Sequence, residues 1–122
     1  MERVVGIGGV FFTARDPQGL AQWYHDNLGV PVEPGQPYGT FKTSGGGEET
    51  VWSTFPEVTT YLGSGGKPFM INFRVDDLDA MLAQLRAGGV EVDERVEAHD
   101  YGRFGWATDP EGNRIELWQP VA

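Results

Sequence analysis

Hydrophobic and polar positions along the chain change period in an order that occurs twice. "VVGIGGVFFTA", Val4 to Ala14, is nearly continuous apolar sequence and predicts a strand. It stops at Asp16-Pro17, a helix N-cap followed by proline at the first helical position. From Pro17 to about Leu28 the period becomes helical, with Leu20, Trp23, Tyr24 and Leu28 on one face. Gly29 and Pro31 end that helix. Three strand-like pieces follow: Val30–Glu33, Tyr38–Thr43 and Thr50–Phe55. The last two are separated by "SGGGEE", read as a hairpin loop.

The same order then restarts. "FMINFRV" reads as a strand and Asp76-Asp77 as a cap, and Leu78, Met81, Leu82 and Leu85 recur at helical spacing. Arg86 sits in the last turn, where a cation suits the helix dipole, and Gly88-Gly89 terminates it. Three further strands are predicted at Val90–Val96, Gly102–Thr108 and Arg114–Gln119. The halves align at an offset of 60 residues, pairing Asp16 with Asp76, Gly29 with Gly89, and Val30 and Val32 with Val90 and Val92. An internal duplication of a βαβββ unit follows, module one at about 1–63 and module two at about 67–122, in one α+β domain spanning 1–122.

Side-chain alternation assigns faces. In "DPEGNRIELWQP" a tight turn, Asp109 to Asn113, leads into a strand where Arg114, Glu116 and Trp118 point one way and Ile115 and Leu117 the other. Met70, Asn72 and Arg74 share a face in the same manner, as do Gly9, Phe11 and Thr13. Helices would cover the opposite faces, carrying Val10 and Phe12 in one half and Ile71, Phe73 and Val75 in the other.

Composition narrows the chemistry. With 122 residues and no cysteine, the chain makes one domain without disulfides, thiolate metal sites or a cysteine nucleophile. Lys+Arg number 9 against 18 Asp+Glu, a formal charge of −9, and no two basic residues adjoin. Nucleic acid and anionic membranes are therefore poor partners. There is no apolar run long enough to span a bilayer and no signal-peptide pattern, so a cytoplasmic location is expected. "GIGG" lacks the spacing of a dinucleotide fingerprint.

The segments "ARDPQGLAQWYHDNLGV", "FRVDDLDAMLAQLRAGGV" and "DPEGNRIEL", with the repeat, resemble the vicinal oxygen chelate superfamily of glyoxalases, bleomycin-resistance proteins and extradiol dioxygenases. The resemblance implies two βαβββ modules forming a curled mixed sheet around a cavity, the glyoxalase/bleomycin-resistance fold, and a homodimer. It also implies four metal-ligand positions, typically His, Glu, His and Glu. In this chain they fall on Gly9, Ser53, Met70 and Glu116.

Only the last of these is a ligand for a hard divalent ion, which needs about three imidazole or carboxylate donors. The two histidines do not restore the set: His25 lies on the first helix and His99 in the "EAHDYGR" loop. No metal and no other cofactor is expected; the alternative is a divalent ion at Glu116. Glycine at position 9 leaves space and Met70 is a flexible apolar filler, favouring a greasy or aromatic ligand. Phe11, Trp52, Met70, Asn72, Arg74, Arg103, Glu116 and Trp118 are the candidate ligand-binding residues, with Phe55 and Tyr61 as further wall. Arg103 would meet an anionic group at the mouth. The alternative reading of Arg74 and Glu116 is a structural ion pair across adjacent strands.

Two functions stand open. One is a small-molecule-binding protein without the family's metal, holding a partly aromatic ligand in a cavity lined by both modules. The other is a lyase, isomerase or dioxygenase-like enzyme using Glu116 as metal ligand or general base, which makes Glu116 the catalytic candidate.

Overall fold

A computed structural model describes residues 1–42, 48–63 and 66–121. Among these described residues are two helices and eight strands, in chain order β1 (Val4–Ala14), α1 (Pro17–Leu28), β2 (Tyr38–Lys42), β3 (Glu49–Pro56), β4 (Phe69–Val75), α2 (Leu78–Ala87), β5 (Glu91–Val92), β6 (Glu97–His99), β7 (Gly102–Thr108) and β8 (Arg114–Pro120). The chain divides into two compact units, Gly9–Phe69 and Met1–Gly8 with Met70–Ala122. The division falls inside β1, so the unit boundary and the repeat boundary differ.

Both units wire their strands alike. In Gly9–Phe69, β1 pairs parallel with β3, and β2 pairs antiparallel with β3. In the other unit β4 pairs parallel with β8, and β7 pairs antiparallel with β8. Short β5 and β6 each add antiparallel to β7. A parallel pair needs a crossover, and α1 and α2 begin the two crossovers. Parallel and antiparallel pairings therefore mix within each unit, as the α+β reading of the repeat requires.

Each helix starts on an aspartate. The Asp16 carboxylate accepts from the backbone N–H of Gly19 at 3.0 Å, and that of Asp77 accepts from Ala80 at 3.0 Å. The second cap is thus Asp77 rather than Asp76, one residue beyond a strict offset of 60. The glycines past the helices keep that offset, since Gly29 (φ 71°) and Gly89 (φ 80°) both take the left-handed conformation that ends a helix. The helix of the second module is shorter, and the frame shifts back within it.

The apolar stripe of α2 packs as its spacing predicts: Leu78, Met81 and Leu82 are buried with Val75 and Leu117, and Phe73 and Leu85 lie against them. The stripe expected on α1 does not hold. Its fully buried residue is Ala21, whereas Trp23 is 53% and Leu28 64% exposed. An alanine at the contact lets the helix approach β3 closely, and Tyr24 completes the seam against Phe12 and Trp52. Two predicted strands also shrink. Val30–Glu33 is reduced to a single bridge from Val32 to Gly39, and Val90–Val96 to Glu91–Val92. Conversely, the segment holding His99 forms β6 instead of a loop. The "SGGGEE" loop lies largely outside the described residues.

Candidate functional site

The turn before β8 sets the register of the site. The Asp109 carboxylate accepts from the backbone N–H groups of Glu111 and Asn113, both at 2.9 Å, and Gly112 takes φ 82°. This closed turn leaves Thr108 opposite Arg114. Two residues further out on each strand, Trp106 is opposite Glu116, and two further still Phe104 is opposite Trp118. Across the parallel pair, Asn72 lies opposite Glu116 and Arg74 opposite Trp118. Three adjacent strands thus carry Asn72, Glu116 and Trp106 side by side on one face.

Glu116 is 1% exposed. Its Oε1 accepts from the Asn72 amide Nδ2 at 2.6 Å, and its Oε2 accepts from the Trp106 indole Nε1 at 2.8 Å. Each oxygen therefore meets a side-chain N–H donor, the arrangement an acceptor-only carboxylate requires once removed from water. Asn72 is equally buried, and its Oδ1 has no hydrogen-bond partner among the described residues. Trp106 is fully buried, with the guanidinium carbons of Arg95 and Arg114 each 5.1 Å from its ring centroid.

A second row lies beside this one. The Arg74 guanidinium donates from Nη1 to the Ile7 carbonyl at 2.7 Å, crossing Gly6, where a Cβ would meet its Nη2 at 2.3 Å. Gly8 yields its space in the same way to Asn72 and Trp118. Trp118 stacks parallel on Phe104, with centroids 5.8 Å apart, and donates from Nε1 to the Tyr101 carbonyl at 3.1 Å. His99 stacks on Tyr101 at 5.2 Å and shares a 3.1 Å hydrogen bond with Glu97. Met70 is fully buried on β4, two residues before Asn72.

Arg103 does not join this group. Alternation puts it opposite Gln119, on the face that α2 covers, and both its terminal nitrogens bind the Asp79 carboxylate at 2.8 and 3.2 Å. That pairing lowers the Asp79 pKa and raises that of Arg103. The partner the structure gives this arginine is thus an exposed carboxylate on α2. Trp52 is likewise on a helix side: opposite Val10 in register, it packs edge-on against Phe12 at 5.4 Å and at a tilt against Tyr24 at 5.0 Å. Phe11 takes the opposite face, edge-on to Phe55 at 5.6 Å, and Phe55 stacks on Tyr61 at 5.4 Å. His25 is exposed, with Nδ1 3.0 Å from the Val30 carbonyl oxygen.

Residues 9–118 match the model of a family described as glyoxalase-like domain. The chain belongs to the glyoxalase-like domain family. Methylmalonyl-CoA epimerase from Mycobacterium tuberculosis superposes with a TM-score of 0.69 at 24% identity, covering 98% of this chain and 90% of that one. A variant of Streptomyces coelicolor methylmalonyl-CoA epimerase in complex with 2-nitronate-propionyl-CoA gives 0.73 at 17%, covering 98% and 100%. A glyoxalase/bleomycin resistance protein/dioxygenase superfamily member from Vibrio splendidus 12B01 gives 0.60 at 16%, covering 98% and 99%. At these identities the likeness is one of fold. No curated protein matches the chain.

The divalent ion associated with this glyoxalase-like fold does not suit the side chains present. Gly9 offers no donor, Ser53 a neutral hydroxyl that donates to the Thr54 carbonyl at 3.3 Å, and Met70 a thioether. Glu116 already has an N–H donor on each oxygen. Among the described residues no group of three His, Cys, Asp or Glu side chains is placed to hold a metal. Trp106, the second N–H donor to the carboxylate, was absent from the candidates drawn from sequence. Counting outward in twos from the Asp109–Asn113 turn would have found it.

Proposed function

We propose that this glyoxalase-like domain binds a small, partly aromatic organic molecule without a resident metal ion, and that Glu116 acts there as a fixed polar anchor. The observation that carries this reading is the pair of donors on the Glu116 carboxylate. A ligand for a divalent ion must present lone pairs to the ion, and a general base must present one to its substrate. Here Asn72 and Trp106 each take one lone pair and fix the carboxylate. Among the described residues no group of three His, Cys, Asp or Glu side chains is placed to complete a chelate with it. Around the carboxylate stand Met70, Phe104, Trp106 and Trp118, all buried, with Arg74 as the cation. Apolar and aromatic surface with a few converging polar groups is the usual build of a small-molecule site.

The test has two arms. Protein purified without chelators or metal-affinity steps is assayed for bound metal, with less than about 0.1 ion per chain expected. The fluorescent aromatic anion 8-anilino-1-naphthalenesulfonate is then titrated against the native protein and Glu116→Gln. Saturable binding that Glu116→Gln weakens roughly tenfold, or about 1.4 kcal/mol, supports the reading. A stoichiometric ion retained through dialysis, or binding untouched by the substitution, overturns it.

A further inference from the structure

Trp106 has a setting that anchoring one carboxylate does not by itself require. Its ring is fully buried, yet two guanidinium groups lie within cation–π range of it, both at 5.1 Å. Neither cation is loose. Arg114 donates from Nη1 to the Asp93 carboxylate at 3.4 Å, and the Arg95 side chain pairs with Glu97 at 3.3 Å. The Asp93 carboxylate also accepts from the backbone N–H of Arg95 at 2.9 Å, fixing the segment that carries this arginine. A small cavity of about 180 Å³ beside the stack is lined in part by Asp93, Trp106 and Arg114. Charges at the rim are thereby joined, through one indole ring, to a carboxylate at the centre of the sheet face.

Two cations near an aromatic ring draw its electron density, and the effect strengthens with removal from water. An indole so polarised is a better N–H donor, and the guanidiniums also restrict the ring to one orientation. We propose that Trp106 is a positioning residue for Glu116, and that Arg95 and Arg114 set how firmly its indole N–H holds the carboxylate. The segment 93–97 then acts on the site without touching a ligand. This deepens the proposed function and rests on it only where Glu116 is taken as part of the binding site; the linkage itself stands on geometry.

The experiment uses the full chain labelled with ¹⁵N-tryptophan, in which four tryptophans give four indole N–H resonances. Trp106→Phe identifies the Trp106 signal by its loss. In Arg95→Gln/Arg114→Gln this resonance is expected to move toward the position of free indole and to exchange with solvent at least tenfold faster. Arg95→Lys/Arg114→Lys, which keeps the charge, restores most of the shift. In Trp106→Phe, ¹³C-glutamate labelling is expected to show Glu116 titrating at higher pH, because a donor to its ionised form is gone. Should the double variant not fold, Arg95→Gln alone, at a side chain 58% exposed, reads the same resonance. An indole signal indifferent to both arginines, or an unchanged Glu116 titration in folded Trp106→Phe, overturns the proposal. If the clamp signals appear while 8-anilino-1-naphthalenesulfonate binding ignores Glu116→Gln, the binding reading fails and the linkage survives.

Discussion

The two halves of the repeat place different chemistry at the same register. In one unit β4, β8 and β7 align Asn72, Glu116 and Trp106; in the other β1, β3 and β2 align Phe11, Ser53 and Tyr38. The first trio is sealed and linked by two hydrogen bonds through a carboxylate. The second has an aromatic ring in place of the amide, a small hydroxyl in place of the carboxylate, and a tyrosine left 42% exposed. Duplicated backbone geometry thus carries a polar network in one copy and an aromatic packing surface in the other. The strand pairing dictates neither outcome. A buried charge must have its donors, whereas a serine can turn to the neighbouring carbonyl, so the two copies carry unequal energetic stakes.

Substituting the central residue of each trio should separate them most. Glu116→Ala leaves the Asn72 and Trp106 donors facing a void and is expected to cost roughly 3–5 kcal/mol. Ser53→Ala removes a long hydrogen bond and is expected to cost less than about 1 kcal/mol. Urea unfolding of both variants measures the gap, and equal losses would erase the distinction drawn between the halves.

Gly8→Ala comes next. A Cβ there would stand 2.1 Å from the Asn72 Oδ1 and 2.8 Å from Trp118, so both side chains must shift, at about 1–3 kcal/mol. Asn72 would then lose its grip on Glu116, and the Trp106 indole resonance should move along with the fall in stability. A stable variant with an unmoved resonance would show that the amide is not confined by β1.

The helix caps test the part of the comparison in which the halves agree. Asp16→Ala and Asp77→Ala each remove a 3.0 Å hydrogen bond to a backbone N–H three residues on, and each should cost about 1 kcal/mol. Thermal melts that separate the two by much more than that would mean the duplicated helices do not contribute alike.

The smallest effect belongs to the exposed ion pairs of the unit that carries Glu116. Arg103 lowers the Asp79 pKa, chiefly by hydrogen bonding. The backbone N–H of Arg95 does the same to Asp93, with help from Arg114. A carboxylate whose pKa is depressed by folding adds stability above its unfolded value of about 3.9, and that stability is lost as pH falls through the folded value. Arg103→Gln should therefore lower stability slightly at neutral pH and leave it unchanged in strong acid, which flattens the acid limb of the stability curve. A larger loss at pH 3 than at pH 7 would have the wrong sign.

Much of this molecule is legible from spacing. β1, α1, β4 and β7 begin and end where the hydrophobic period and the Asp, Pro and Gly punctuation place them, because caps and left-handed glycines are local devices. Local signals failed where neighbours decide. Val30–Glu33 and Val90–Val96 have strand-like sequence but pair over only a residue or two, since a ladder needs a facing strand in register. Trp23 and Leu28 look like core on a helical wheel, yet the helix sits down on Ala21 instead. Arg103 and Trp52 were readable in principle from alternation, but only once their partners across the sheet, Gln119 and Val10, were known.

The amino-acid order alone determined the βαβββ repeat, the chemistry available at each strand position, and the poverty of metal-binding side chains. These rest on periodicity and residue type, which need no partner. Tertiary structure decided that Glu116 is held between Asn72 and Trp106, and that two arginines stack on that indole. Hydrogen bonds and ring contacts between strands depend on register and burial, and those exist only once the chain has folded.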